Sequence, residues 1–140
     1  MDHIKFKCRI KIIFYLLLSI INSSKAAEIN YYKLVELRGY LAQEVGVDCC
    51  TDGKEEEVFY PVIKLKNPVN VFSANPLKPE IDEPAELDVK IIQLALNNKT
   101  WREFRKYKGK IARVLCLPYH AINGHHMTSV LCEVRSIRNP

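Results

Sequence analysis

The sequence predicts an all-β domain with one short helix, and the simplest such architecture is a small five-stranded barrel of the OB type. Three observations lead there. Apolar and polar residues alternate with a period of two over several segments, as strands with one buried face require. Only one stretch, beginning at Thr100 and ending at Gly109, combines a helix start with a helix stop. That stretch falls before the fourth strand, where a five-stranded OB barrel carries its helix. An open antiparallel sheet with one covering helix is the alternative.

The beginning of the 140-residue chain reads as a targeting segment. Lys5, Lys7, Arg9 and Lys11 precede the apolar run Ile12 to Ile21, and small residues follow at Ser23, Ser24, Ala26 and Ala27. A basic stretch, an apolar core and a small-residue cleavage point form the pattern of a secretory signal peptide. The core is shorter than the roughly 20 apolar residues of a membrane span. We therefore expect a signal-peptide helix over residues 1–26, cleavage before Ala27, and one domain over residues 27–140. The product would be periplasmic or secreted, with membrane contact only during export. An uncleaved amphipathic anchor is the competing reading. Cys8 lies ahead of the apolar core and would leave with the peptide.

Export changes the charge argument. The full chain has 21 Lys plus Arg against 16 Asp plus Glu. The leader accounts for Lys5, Lys7, Arg9, Lys11 and Lys25 against Asp2, so the remainder holds 16 basic and 15 acidic residues. A nearly neutral domain has no electrostatic footprint for nucleic acid.

The elements follow in order. Tyr32 to Val47 alternates well and carries Gly39 at its middle, which predicts a long strand bent or bulged there. Asp48 to Lys54 supplies turn chemistry, and Glu55-Glu56-Glu57 a solvated lead-in. Val58 to Leu65 is a second strand, near an edge or bulge at Pro61. Asn67-Pro68 should break it, with Val69 to Phe72 as a short extension and 75–84 as a proline-punctuated excursion. Leu87 to Leu96 fits a buried strand better than a helix. The next segment has the stronger helix signature, with Thr100-Trp101-Arg102-Glu103 as a capping box and Gly109 as the stop.

Lys110 to Tyr119 and Thr128 to Ile137 then read as a hairpin around Asn123-Gly124-His125-His126. A three-residue loop would oppose Val114 to Val134, Cys116 to Cys132 and Pro118 to Val130. One face is then apolar, with Arg113, Glu133 and Arg135 on the other. The two-residue Asn123-Gly124 turn would mix the faces. A longer loop with the same centre would keep the parity.

Four cysteines remain after export: Cys49, Cys50, Cys116 and Cys132. An even count in an exported chain points to disulfides. The hairpin register favours Cys116 with Cys132, leaving Cys49 with Cys50; two cross-links between the first loop and the hairpin fit the sequence equally.

OB barrels bind mainly through the loop between strands one and two and the loop between strands four and five. Those loops correspond to residues 47–56 and 119–128, which would meet at one end of the barrel. The candidate ligand-binding residues are His120, Asn123, Gly124, His125, His126 and Thr128. His120, His125 and His126 are also candidate ligands for zinc or copper, since imidazole suits both ions. Adjacent histidines do not readily serve one ion, however, and no zinc-finger spacing is present. A nucleophilic Cys–His pair is weaker still, because oxidised cysteines are poor nucleophiles and no group orienting a histidine can be named. Tyr31, Tyr32, Tyr40, Phe59, Tyr60 and Tyr119 read mostly as core or cover, and Trp101 as packed against the barrel mouth. A binding module without catalytic activity or resident cofactor requires the fewest special residues. Its partner would be an exported protein, a glycan or a small ligand.

Several stretches carry a resemblance. Tyr107-Lys108-Gly109-Lys110 followed by Tyr119-His120-Ala121-Ile122-Asn123-Gly124-His125-His126-Met127-Thr128 is similar to the signature of a bacterial exported family of domains of unknown function, number 4431. Leu37-x-Gly39-x-Leu41, Lys64-Leu65-x-x-Pro68-Val69-Asn70-Val71 and Ile92-Gln93-Leu94 also fit, so the similarity spans most of residues 34–137. Met127 stands where that pattern has a third histidine, and Ser129 where it has proline. The resemblance implies an exported bacterial domain and brings no activity with it.

Overall fold

The computed structural model describes residues 26–49, 55–75, 77, 83–123 and 125–140. The expected signal peptide, but for Ala26, lies outside the described residues, as do Cys50, Gly124 and the side chain of Cys49.

Among the described residues, six strands and one helix follow in the order β1 (Ala27–Asn30), β2 (Val35–Cys49), β3 (Glu55–Phe72), β4 (Glu86–Ala95), α1 (Asn98–Tyr107), β5 (Ile111–His120) and β6 (Val130–Arg138). Five of them close on themselves. β3 pairs with β2, β2 with β5, β5 with β6, and β6 in parallel with β4, whose pairing to β3 completes the barrel. One parallel pair between the third and fifth barrel strands, with the helix between the third and fourth, is the OB arrangement expected from the element order.

β2 is long because it serves two neighbours in succession. Residues 35–40 pair with β5 and residues 39–49 with β3, so the handover falls on Gly39 and Tyr40. A Cβ on Gly39 would stand 2.4 Å from the Lys64 carbonyl oxygen, which is why the bend is built on a glycine.

Four sequence expectations are corrected. The first barrel strand begins at Val35 rather than Tyr32, because Tyr32 takes a φ of 56° in the turn that follows the unforeseen β1. β3 does not break at Asn67-Pro68. Pairing with β2 ends at Leu65, pairing with β1 begins at Val69, and the β4 register shifts between Lys64 and Val69. Pro68 therefore sits where no ladder needs its missing N–H. Pro61 lies in the part of β3 that β2 alone covers, as an edge proline should.

The helix cap lies one turn earlier than Thr100. Asn97 is the N-cap: its side chain accepts from the Lys99 and Thr100 N–H groups, and Thr100 returns the bond to the Asn97 N–H at 2.9 Å. Glu103, expected in the cap, instead accepts from the Ile137 N–H at 2.7 Å and ties α1 to β6. Gly109, at a φ of 81°, follows the Lys108 C-cap as expected.

The hairpin register is shifted by two. Cys116 opposes Val134, Pro118 opposes Cys132 and His120 opposes Val130, with a bulge between Leu115 and Cys116. From Cys116 onward the shift is even and side chains keep their expected face; before the bulge Val114 opposes Ile137 rather than Val134, an odd shift that turns Ile137 into the core. Cys116 and Cys132 are diagonal neighbours on the inner face, 5.5 Å apart at Cα, and form a disulfide.

Tyr31, Leu41, Ile63, Val71, Ile92 and Val134 fill the barrel, and Phe104 enters it from α1. Burying that ring alone contributes roughly 1.5–3 kcal/mol. Trp101 packs edge-on to Phe104 with ring centres 5.6 Å apart, at the position expected of it.

Candidate binding rim

The β5–β6 connection is a clamped loop rather than a tight turn. The Ala121 N–H donates to the Ser129 carbonyl at 2.9 Å, which extends the ladder and leaves residues 122–128 as the loop proper. Asn123 organises its tip: its side-chain oxygen accepts from the His125 N–H at 3.1 Å and its carbonyl from the His126 N–H at 3.2 Å. Asparagine favours this local bonding, which is why the sequence turns here.

Gln93 anchors the other limb. Its side-chain oxygen accepts from the Met127 N–H at 2.8 Å, and its own N–H donates to the Thr128 hydroxyl at 3.1 Å. That hydroxyl donates on to the Val130 carbonyl at 2.6 Å. Thr128, a candidate ligand-binding residue, is thus committed to holding the loop. Met127 lies against Gly46 and Tyr60, and a Cβ on Gly46 would meet its sulfur at 2.6 Å.

The tip also reaches across to β2. His125 Nδ1 stands 2.6 Å from Asp48 Oδ1. A carboxylate has no proton to give, so Nδ1 carries it and Nε2 is left to solvent. Asp48 immediately precedes Cys49 at the end of β2, so the hairpin tip and the entry to the first loop share one end of the barrel. His126 is bonded differently: its Nδ1 accepts from the Ile122 N–H at 3.1 Å, and its ring lies edge-on to Tyr119 with centres 6.1 Å apart. Burial, with a smaller contribution from Glu133, raises the Tyr119 hydroxyl above its ordinary pKa.

Residues 91–138 match the family model of a domain of unknown function, DUF4431. The DUF4431 match takes in most of β4, α1, β5, the loop and β6, and so includes Gln93 and every histidine of the tip. Residues 34–90 lie outside the match, and with them Asp48 and Tyr60. No curated protein and no solved structure matches the chain.

The three imidazoles of the hairpin have three different sets of partners. His120 Nε2 lies 3.1 Å from Glu86 Oε1, and its ring lies edge-on to the buried Tyr31. It is therefore engaged with the start of β4, whereas His125 is engaged with the end of β2. Among the described residues, no group of three or more His, Cys, Asp or Glu is arranged to hold a metal ion. Cys116 and Cys132 are bonded to each other, so neither is a free thiolate for a Cys–His pair.

Sequence reasoning placed Asp48 within the expected binding loop 47–56 and Tyr60 among the aromatics without singling out either, and it missed Gly46 and Gln93. Gln93 alone left a usable trace, as the one uncharged polar residue in the apolar stretch Ile91 to Leu96. The others became part of the rim only because a loop 77 residues away from Asp48 folds back onto it.

Proposed function

We propose that this chain is a small exported binding module whose ligand seats on the rim between the end of β2 and the β5–β6 loop. One observation carries the reading, the His125–Asp48 contact at 2.6 Å, which draws together the two loops through which OB barrels bind. The rim offers the rings of Tyr60 and Tyr119 beside the polar groups of Asp48, Asn123, His125 and His126. Flat apolar surface mixed with directed donors and acceptors suits a glycan, a peptide segment of an exported protein or a small polar ligand. Export rests on the N-terminal sequence pattern, and the disulfide is in keeping with an oxidising compartment. The reading assigns no catalytic role.

The test is a nuclear magnetic resonance screen of the 15N-labelled chain against small fragments and oligosaccharides. Shift perturbations should converge on residues 46–48, 60, 93 and 119–128, and His125→Ala with Asp48→Ala should weaken the hits. A screen in which no hit shifts these residues would overturn the assignment. N-terminal sequencing of the exported product checks cleavage before Ala27.

A zinc or copper ion at the tip is the second reading, favoured only by the carboxylate of Asp48 beside His125. Metal titration of the chain and of His125→Ala/His126→Ala addresses it; equal affinity in both removes it.

A further inference from the structure

Away from the rim, the barrel wall has an opening of about 750 Å³ between β1, β2 and β3. Its origin is topological. Along one edge of β3, β2 covers residues up to Leu65 and β1 covers residues from Val69, so 66–68 face a gap. β2 leaves that edge at Gly39 to join β5, and the two strand ends diverge around the space.

The floor and the lip differ in chemistry. Ile29, Val35, Leu37, Leu65 and Val69 line the opening, and all belong to the core or pack against it. Cations stand at the lip. Arg38 faces Arg113 across the β2–β5 ladder, and neither Arg38 nor Lys66 has an acidic partner among the described residues. The carboxylate of Glu36 is already engaged by Arg113 and Arg138, and Lys64 is paired with Glu44. An apolar floor, two uncompensated cations and a volume inside the usual range of roughly 300–1,000 Å³ describe a ligand site.

We propose that this opening binds an amphipathic anion with a single acyl chain, the chain lying on Leu65 and Val69 and the carboxylate meeting Arg38 and Lys66. Apolar contact holds the tail, and the charge-assisted hydrogen bonds select the head group. The site is separate from the rim, so its success or failure leaves the proposed function untouched.

Dodecanoate, kept below its micellar concentration, is the probe. Isothermal titration of the full chain should show dodecanoate binding at least about tenfold more tightly than dodecanol or dodecyltrimethylammonium, the difference expected of a charge-assisted bond. Amide shifts should move at Ile29, Leu65 and Val69. Arg38→Glu/Lys66→Glu should weaken dodecanoate by about tenfold or more while the thermal transition stays in place, since both side chains are exposed. No dodecanoate binding, equal binding of the three probes, indifference to the charge reversal, or shifts centred on residues 119–128 would each overturn the proposal.

Discussion

Gly39 and the Lys64 carbonyl meet so closely that a methyl group between them would lie 2.4 Å from the oxygen. The contact is the hinge of the fold, since β2 changes partners there and the wall opens beside it. Ile63 Cγ1, at 2.7 Å from the same position, closes the other side. Gly39→Ala has to displace backbone, and overpacking of this kind costs about 1–3 kcal/mol. Urea unfolding should show that loss, with a midpoint shift and an unchanged slope.

The disulfide joins residues 16 apart on the inner face of the hairpin. Closing a loop of that length restricts the unfolded chain by about 3 kcal/mol on the chain-entropy argument. Reduction, or the paired change Cys116→Ala/Cys132→Ala, should lower stability by about that amount and leave the strand signal in circular dichroism intact. Equal unfolding midpoints with and without reductant would contradict it.

Glu103 accepts from the N–H of the buried Ile137 at 2.7 Å. Glu103→Ala removes that acceptor, a loss of about 1–3 kcal/mol. Hydrogen exchange at the Ile137 amide should accelerate more than at amides in β2 and β3.

Asn97 satisfies two of the N–H groups that begin α1 and donates its own N–H to the Thr100 hydroxyl. Asn97→Ala should cost about 1 kcal/mol, and Asn97→Asp should cost little, because both natural side chains cap well. Thermal unfolding of the two variants separates the cap from simple loss of bulk.

Tyr31 is fully buried and donates its hydroxyl to the Pro84 carbonyl at 3.1 Å. Burial first, and then the charges of Glu86 and Glu83, push its ionisation well above its ordinary value of 10.0. The folded state therefore holds the proton more firmly than the unfolded chain. That contribution is complete below pH 10.0 and declines as pH rises beyond it, since the unfolded tyrosine ionises first. Alkaline unfolding should be steep in the native chain and shallower in Tyr31→Phe, followed by phenolate absorbance.

The legible parts of this protein are those where a local pattern has one physical meaning. Alternation specified β2, β5 and most of β6 with the inner face of each, including the placement of Cys116 and Cys132 on one side; the apolar run of β4 marked a strand but not its faces. From Cys116 onward parity survived where the register did not, because a shift of two residues is invisible to a period of two. The element order then led to the barrel, since few arrangements bury five such strands and one amphipathic helix.

The rest depended on distance in space. Alternation carries no record of where one strand is left for another, so the path of β3 through Pro68 and the added strand β1 could not be read. Nor could the choice of Asn97 over Thr100, because Glu103 had a better use on β6. The rim was partly visible, as a histidine-bearing tip expected to meet the 47–56 loop; its assembly with Asp48, Tyr60 and Gln93 exists only once the barrel closes. By itself the sequence determined the five barrel strands, most of their faces and the helix between them, because those follow from neighbours a few residues apart. Only the tertiary structure decided which side chains share the rim and where the wall opens, because closure brings together groups that the chain keeps dozens of residues apart.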